Sequence, residues 1–127
     1  MWRILLRAAV TLLILHALLT FAIAPVIVPG FSKDLFAFAQ HGFAFLFLAL
    51  LNLAVWQTPG SSNPLRYAVH LCNIVFLGFN LLFTIVNPEA ATFVATGILL
   101  LLTFVAFAMD WTNRRAPVVP ALPHEIE

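Results

Sequence analysis

The chain has 127 residues, of which 63% are hydrophobic and 9% charged, with a formal net charge of +1. A soluble domain carries about 25% charged residues, so this composition excludes a water-covered globular surface, and the small charge without a basic stripe argues against a nucleic-acid partner. The single cysteine, Cys72, rules out an intramolecular disulfide and a paired-thiol or cysteine-zinc site.

Four apolar stretches, about residues 3–28, 35–56, 67–87 and 90–111, take up most of the chain, and none has Lys, Asp or Glu through its middle. At about 1.5 Å per helical residue, each is long enough to cross a hydrocarbon core of about 30 Å. The predicted fold is an all-α membrane protein. Residues 1–111 form one antiparallel four-transmembrane-helix bundle, and 112–127 a Pro-rich cytoplasmic tail.

The first stretch follows Arg3 and Arg7, and Ala22-Ile23-Ala24 has the look of a signal-peptidase site. Pro25 restricts the backbone at the cut and the apolar run continues through Val28, which favours a retained first helix. Within it His16 and Thr20 are spaced i, i+4. The second stretch carries His41 and Asn52, eleven residues apart and so on one helical face, among Phe36, Phe38, Phe43, Phe45 and Phe47. Thr-Pro-Gly-Ser-Ser-Asn-Pro, residues 58–64, reads as a turn before the third stretch.

There, His70, Asn73, Leu77, Asn80, Thr84 and Asn87 follow 3–4 spacing. Asn87-Pro88-Glu89 closes that helix and opens the next, with Pro88 placed in the first turn and Glu89 near the positive end of the dipole. Thr92, Thr96, Leu99, Thr103, Ala106 and Asp110 then form the corresponding seam of the fourth helix. The tail holds Pro117, Pro120 and Pro123, a spacing that favours an extended strand, either a disordered terminus or a strap across a neighbour.

Short connections make consecutive helices antiparallel neighbours. Arg3, Arg7, Arg66, Arg114 and Arg115 then share one side, with Lys33 alone on the other beside Asp34. The positive-inside rule puts both termini in the cytoplasm, and Trp2, Trp56, Tyr67 and Trp111 mark that same interface. The expected location is a multi-pass span of a bacterial-type inner membrane.

Rise per residue sorts the polar side chains into two layers. His16, His41, Asn80 and Thr96 fall about 20 Å from the cytoplasmic side, and Asn52, His70, Asn73 and Thr103 about 6–12 Å. Thr and Asn at such positions glue membrane helices together, and Ala91, Ala95, Gly78 and Gly97 are expected to let helices approach closely. A buried neutral imidazole needs partners, which Asn80 or a backbone carbonyl can supply.

Sharper alternatives are a haem b iron held by His16 and His41, and a quinone at either polar layer. The quinone would sit near His16, His41 and Asn80, or, as an option shared with a lipid headgroup, near His70, Asn73 and Asn52. Arg7 with His16 nine residues on resembles the first helix of DoxX-like small membrane proteins. Ala17 and Leu18-Leu19 stand where those proteins carry glycine and lysine, and no function is carried across.

No Ser/His/Asp arrangement, His-x-x-His pair, phosphate loop or membrane-embedded carboxylate is present to mark an enzyme or a proton-coupled pump. The leading expectation is therefore a non-catalytic accessory, assembly or structural subunit that meets other membrane subunits or itself. A haem- or quinone-binding bundle and a small-molecule permeation path stand behind it.

Overall fold

A computed structural model of the chain describes residues 1–28, 30, 32–58 and 61–115, with the backbone alone at 27, 33 and 115. The turn residues Pro59-Gly60, the side chains of Lys33 and Arg115, and the prolines of the tail lie outside the described residues. What is described is helical: α1 (Trp2–Ile27), α2 (Lys33–Gln57), α3 (Asn63–Val86) and α4 (Ala90–Arg115). Each runs 24 to 26 residues, about 36–39 Å at about 1.5 Å per residue. Each is long and apolar enough to cross a membrane.

The ends of the helices show how local sequence sets their limits. Ser32 caps α2 through its Oγ, which accepts from the Leu35 N–H at 3.2 Å, and Asp34 sits in the first turn, where the helix dipole favours an anion. α3 begins four residues earlier than the expected 67. The Asn63-Pro64 pair opens the helix instead of finishing the loop, because a proline in the first turn lacks only an N–H that would have no partner there.

Thr92 Oγ1 closes the start of α4 by accepting from the Glu89 N–H at 3.2 Å, so Pro88 precedes the helix rather than lying in its first turn. α4 also runs a turn beyond the expected 111, through Thr112, Asn113 and Arg114, and the Arg114-to-Asp110 bond at 3.0 Å spans that added turn. The residues expected to begin a tail therefore start with one more turn of helix. At the other end, α1 continues past Pro25 and finishes with Val28 N–H donating to the Ala24 carbonyl at 3.0 Å.

The helices form an up-and-down ring. α1 packs most extensively on α2, α3 and α1 each pack on α4, and the α2–α3 seam is the thinnest. Side chains from the starts of α1 and α3 and the ends of α2 and α4 line one shared cavity, which establishes the antiparallel order. That shared end carries Trp56 and is called here the Trp56 end.

The apolar core comes from three helices. Leu6, Val10, Leu13 and Ala17 of α1 meet Phe45, Leu48 and Ala49 of α2 and Leu99, Leu102, Val105 and Ala106 of α4. These follow 3–4 spacing, so each helix presents one continuous stripe.

α3 is built the other way round. Its buried residues are Val69, His70, Asn73, Asn80 and Thr84, whereas Leu71, Phe79, Leu82, Ile85 and Val86 are exposed. A helix with its polar side inward and its apolar side outward suits a hydrocarbon surround and not water.

Close approach falls at a glycine the sequence did not single out. A Cβ on Gly42 would lie 3.2 Å from Phe21 Cζ and 3.3 Å from the Ala17 carbonyl oxygen, so α1 and α2 touch there. Gly78 and Gly97, expected at such contacts, have open space where a Cβ would be, and Ala91 is exposed while Ala95 is buried. Small residues permit an approach, but the crossing point decides which one is used.

Candidate functional site

Nearer the Trp56 end than the other, α2 and α3 are joined by an amide pair. Asn52 Nδ2 donates to Asn73 Oδ1 at 2.8 Å, Asn73 Nδ2 returns the bond to Asn52 Oδ1 at 3.0 Å, and Asn52 Nδ2 also reaches the Leu48 carbonyl at 2.9 Å. Both residues are fully buried. A quinone or headgroup at this level would have to break that pair. Thr103, expected in the same layer, donates to the Leu99 carbonyl of its own helix at 2.7 Å.

His70 does not join that amide pair; its contacts are with a cluster at the Trp56 end. Its ring stacks on Phe107 with centroids 4.2 Å apart and meets Trp56 at 5.5 Å. Its Nε2 is 3.7 Å from Asp110 Oδ2. Asp110 is buried, yet three cationic or ionisable groups surround it: Arg114 at 2.8 Å, Arg66 at 3.8 Å, and His70. Arg114 in turn donates to the Tyr67 hydroxyl at 3.1 Å. Burying a carboxylate is tolerable only with such partners.

The expected upper layer divides into two groups. On one side Asn80 Nδ2 donates to Thr96 Oγ1 at 2.6 Å and points at the Thr92 carbonyl at 3.4 Å, while Thr84 Oγ1 lies 2.9 Å from Thr96 Oγ1. Thr84 and Thr96 also bond the carbonyls of Asn80 and Thr92, each at 2.8 Å. The contacts of Asn80 with Thr96 and the Thr92 carbonyl, and of Thr84 with Thr96, lace α3 to α4. A carbonyl can only accept, so the Thr92 carbonyl orients the Asn80 amide with nitrogen towards α4. The amide's Oδ1 is buried and has no partner, so Asn80 bonds neither His16 nor His41.

On the other side are the two histidines. His16 is half-buried and His41 exposed. Both meet Phe45 edge-on, with centroids at 5.4 and 4.5 Å. Thr20 bonds the His16 backbone carbonyl at 2.9 Å and not its ring. The buried Phe45 ring is thus a shared neighbour of the two imidazoles.

The thin α2–α3 seam leaves a groove of about 390 Å³ above the Asn52–Asn73 pair. His41, Phe45, Phe76, Phe79, Asn80 and Phe83 line it, with Ala44 and Val75. The volume is within the ordinary range for small-molecule sites, about 300–1,000 Å³. Its walls are aromatic and apolar, and two side chains bring polarity: the His41 imidazole and the Asn80 amide with its unbonded oxygen.

Of the sequence candidates, the structure brings His41 and Asn80 to one groove, pairs Asn52 with Asn73, and sends His70 to Asp110. Phe76, Phe79 and Phe83 are not among the sequence candidates. Their 3–4 spacing beside Asn80 was readable, but a phenylalanine stripe in an apolar helix has no signal of its own. Among the described residues no group of three or more His, Cys, Asp or Glu is placed to hold a metal ion.

The arrangement defines a class: an all-helical chain of four membrane-length helices with an aromatic groove between two of them. Comparison with protein-family models, with curated proteins and with solved structures finds no match.

Proposed function

We propose that the chain is a multi-pass membrane protein with both termini on the cytoplasmic side, and that it binds a lipid-soluble quinol in the groove between α2 and α3. The observation that carries this reading is Asn80, which lines a largely aromatic groove and whose buried Oδ1 has no hydrogen-bond partner. Leaving a buried carbonyl oxygen without a donor costs about 1–3 kcal/mol. A lipid acyl chain could fill the volume but offers no donor. A quinol offers a flat ring to stack against Phe45, Phe76, Phe79 and Phe83, and a hydroxyl to donate to Asn80. The imidazole of His41 is a second hydrogen-bonding group, on the α2 side of the same groove. His41 is exposed at the outer face of the bundle, so a ligand dissolved in the bilayer reaches the groove sideways.

The role of accessory subunit draws on the short loops, the uncharged helix interiors and the apolar exterior. Lipid covers such an exterior as well as a partner would, and among the described residues no feature singles out a partner. A permeation path along the Asn and Thr seams finds little support, since Asn52, Asn73, Asn80, Thr84 and Thr96 are buried and bonded to one another or to backbone.

The test is equilibrium binding of a short-chain quinol to purified protein in neutral detergent, next to its dimethyl ether, which has the same ring and no hydroxyl proton. Wild type should favour the quinol by about tenfold, the equivalent of about 1.4 kcal/mol. Asn80→Leu should bring the two ligands level, and Ala44→Phe, which fills the groove, should abolish both. Equal binding of quinol and ether by wild type would refute the assignment.

A further inference from the structure

We infer that a second cavity, at the Trp56 end, is a binding site for a phosphate group. It measures about 390 Å³, and among the described residues its polar lining is Arg3, Arg7, Gln57, Thr58, Arg66 and Asn113, with no carboxylate. Arg3 and Arg7 are spaced i, i+4 and so project from one face of α1. Arg66 comes from the opposite helix and is held in place. Its Nε donates to Ser61 Oγ at 3.1 Å, and its guanidinium lies 5.7 Å above the Trp56 ring.

The nearest described acid neutralises this group only in part. Asp110 stands 3.8 Å from Arg66, and its short contact, at 2.8 Å, is to Arg114 instead. The starts of α1 and α3 also lie at this end, with no acidic residue in the first turn and no side-chain cap on either. Their free N–H groups and dipoles add to the positive field.

The geometry selects among anions. Guanidinium groups from two helices, with the side-chain amides of Gln57 on α2 and Asn113 on α4, surround the cavity from different directions. A carboxylate offers two oxygens in one plane, whereas a phosphate offers oxygens on several sides, each able to take a forked arginine contact. A basic pocket between helices at a membrane surface is also suited to a phospholipid headgroup. The phosphate could therefore arrive on a soluble ester or on an anionic lipid. Sidedness of insertion explains why arginines collect at this end, but it does not require them to share a cavity.

Two measurements on the full-length protein separate the sources. In neutral detergent, the unfolding midpoint is followed with inorganic phosphate or glycerol phosphate against chloride at equal ionic strength. In nanodiscs, retention of phosphatidylglycerol is compared with phosphatidylcholine by native mass spectrometry. A midpoint raised by phosphate over chloride assigns a soluble ligand. About tenfold preferential retention of phosphatidylglycerol, without a phosphate effect, assigns the lipid. Either preference should fall to parity in the Arg3→Gln/Arg7→Gln variant. It should weaken in Arg3→Lys/Arg7→Lys, which keeps charge and insertion but loses the forked contact. No preference in either assay overturns the site, as does a preference that both variants keep.

Discussion

Replacing Asn73 with leucine should be costly, and replacing Asn52 at the same time should restore most of the loss. Asn73→Leu removes two bonds of 2.8 and 3.0 Å and leaves Asn52 Oδ1 buried without a donor, although Asn52 Nδ2 keeps the Leu48 carbonyl. Interhelical hydrogen bonds in membrane proteins average about 0.6 kcal/mol, so two contribute about 1.2 kcal/mol. The stranded oxygen adds about 1–3 kcal/mol, which places the single variant at about 2–4 kcal/mol. In Asn52→Leu/Asn73→Leu neither stranded group remains, and two apolar side chains of similar size face each other in a buried seam. Its loss should be about 1 kcal/mol or less.

The assay is a double-mutant cycle of unfolding free energies in one detergent or lipid environment, with a coupling energy of about 2 kcal/mol or more expected. Additive losses would refute the reasoning, because they would mean that each asparagine acts without the other.

Three further outcomes follow from the packing. Gly78→Ala and Gly97→Ala, with open space around the new methyl, should stabilise the bundle by about 0.5–1 kcal/mol; Gly42→Val, forced against Phe21 and the Ala17 carbonyl, should destabilise it by about 1–3 kcal/mol, all read from thermal unfolding. His70→Phe keeps the stacking on Phe107 and removes two buried nitrogens that lack hydrogen bonds, so its stability should lie within about 1 kcal/mol of wild type; a larger loss would show that the 3.7 Å approach to Asp110 carries real energy. For topology, single cysteines at Gly30 and Asn113 in a Cys72→Ser background should be labelled from opposite faces of sealed vesicles, with Asn113 reached from the cytoplasmic side; labelling of both from one face would overturn the proposed orientation.

The polar candidates were visible in the chain for one reason and mis-sorted for another. Hydrocarbon makes every Asn, His and Asp conspicuous, so Asn52, Asn73, Asn80, His70 and Asp110 could be named from the sequence, and all of them are buried. Height along a helix axis is additive, which put Asn52 level with Asn73 and Asn80 level with Thr96, and both pairs are bonded. Azimuth is not additive in the same way. Which neighbour a residue at a given height faces depends on helix rotation and crossing, and on these grounds His16 and His41 meet Phe45 and not Asn80. The Arg66–Asp110–Arg114 cluster joins two helix ends, of which only the i, i+4 half was readable from spacing.

Length and hydropathy by themselves determined four membrane-length helices and their antiparallel order. Both depend on quantities carried by each segment alone: rise per residue, absence of charge, and loops too short to cross the bundle. The tertiary structure decided what lies between the helices. α1, α2 and α4 pair their apolar stripes tightly, whereas α3 turns a polar face inward, and the seam it makes with α2 is the thinnest. The aromatic groove is a consequence of that imbalance. A gap between two helices is a property of how unlike surfaces fit, and no single stretch of sequence contains it.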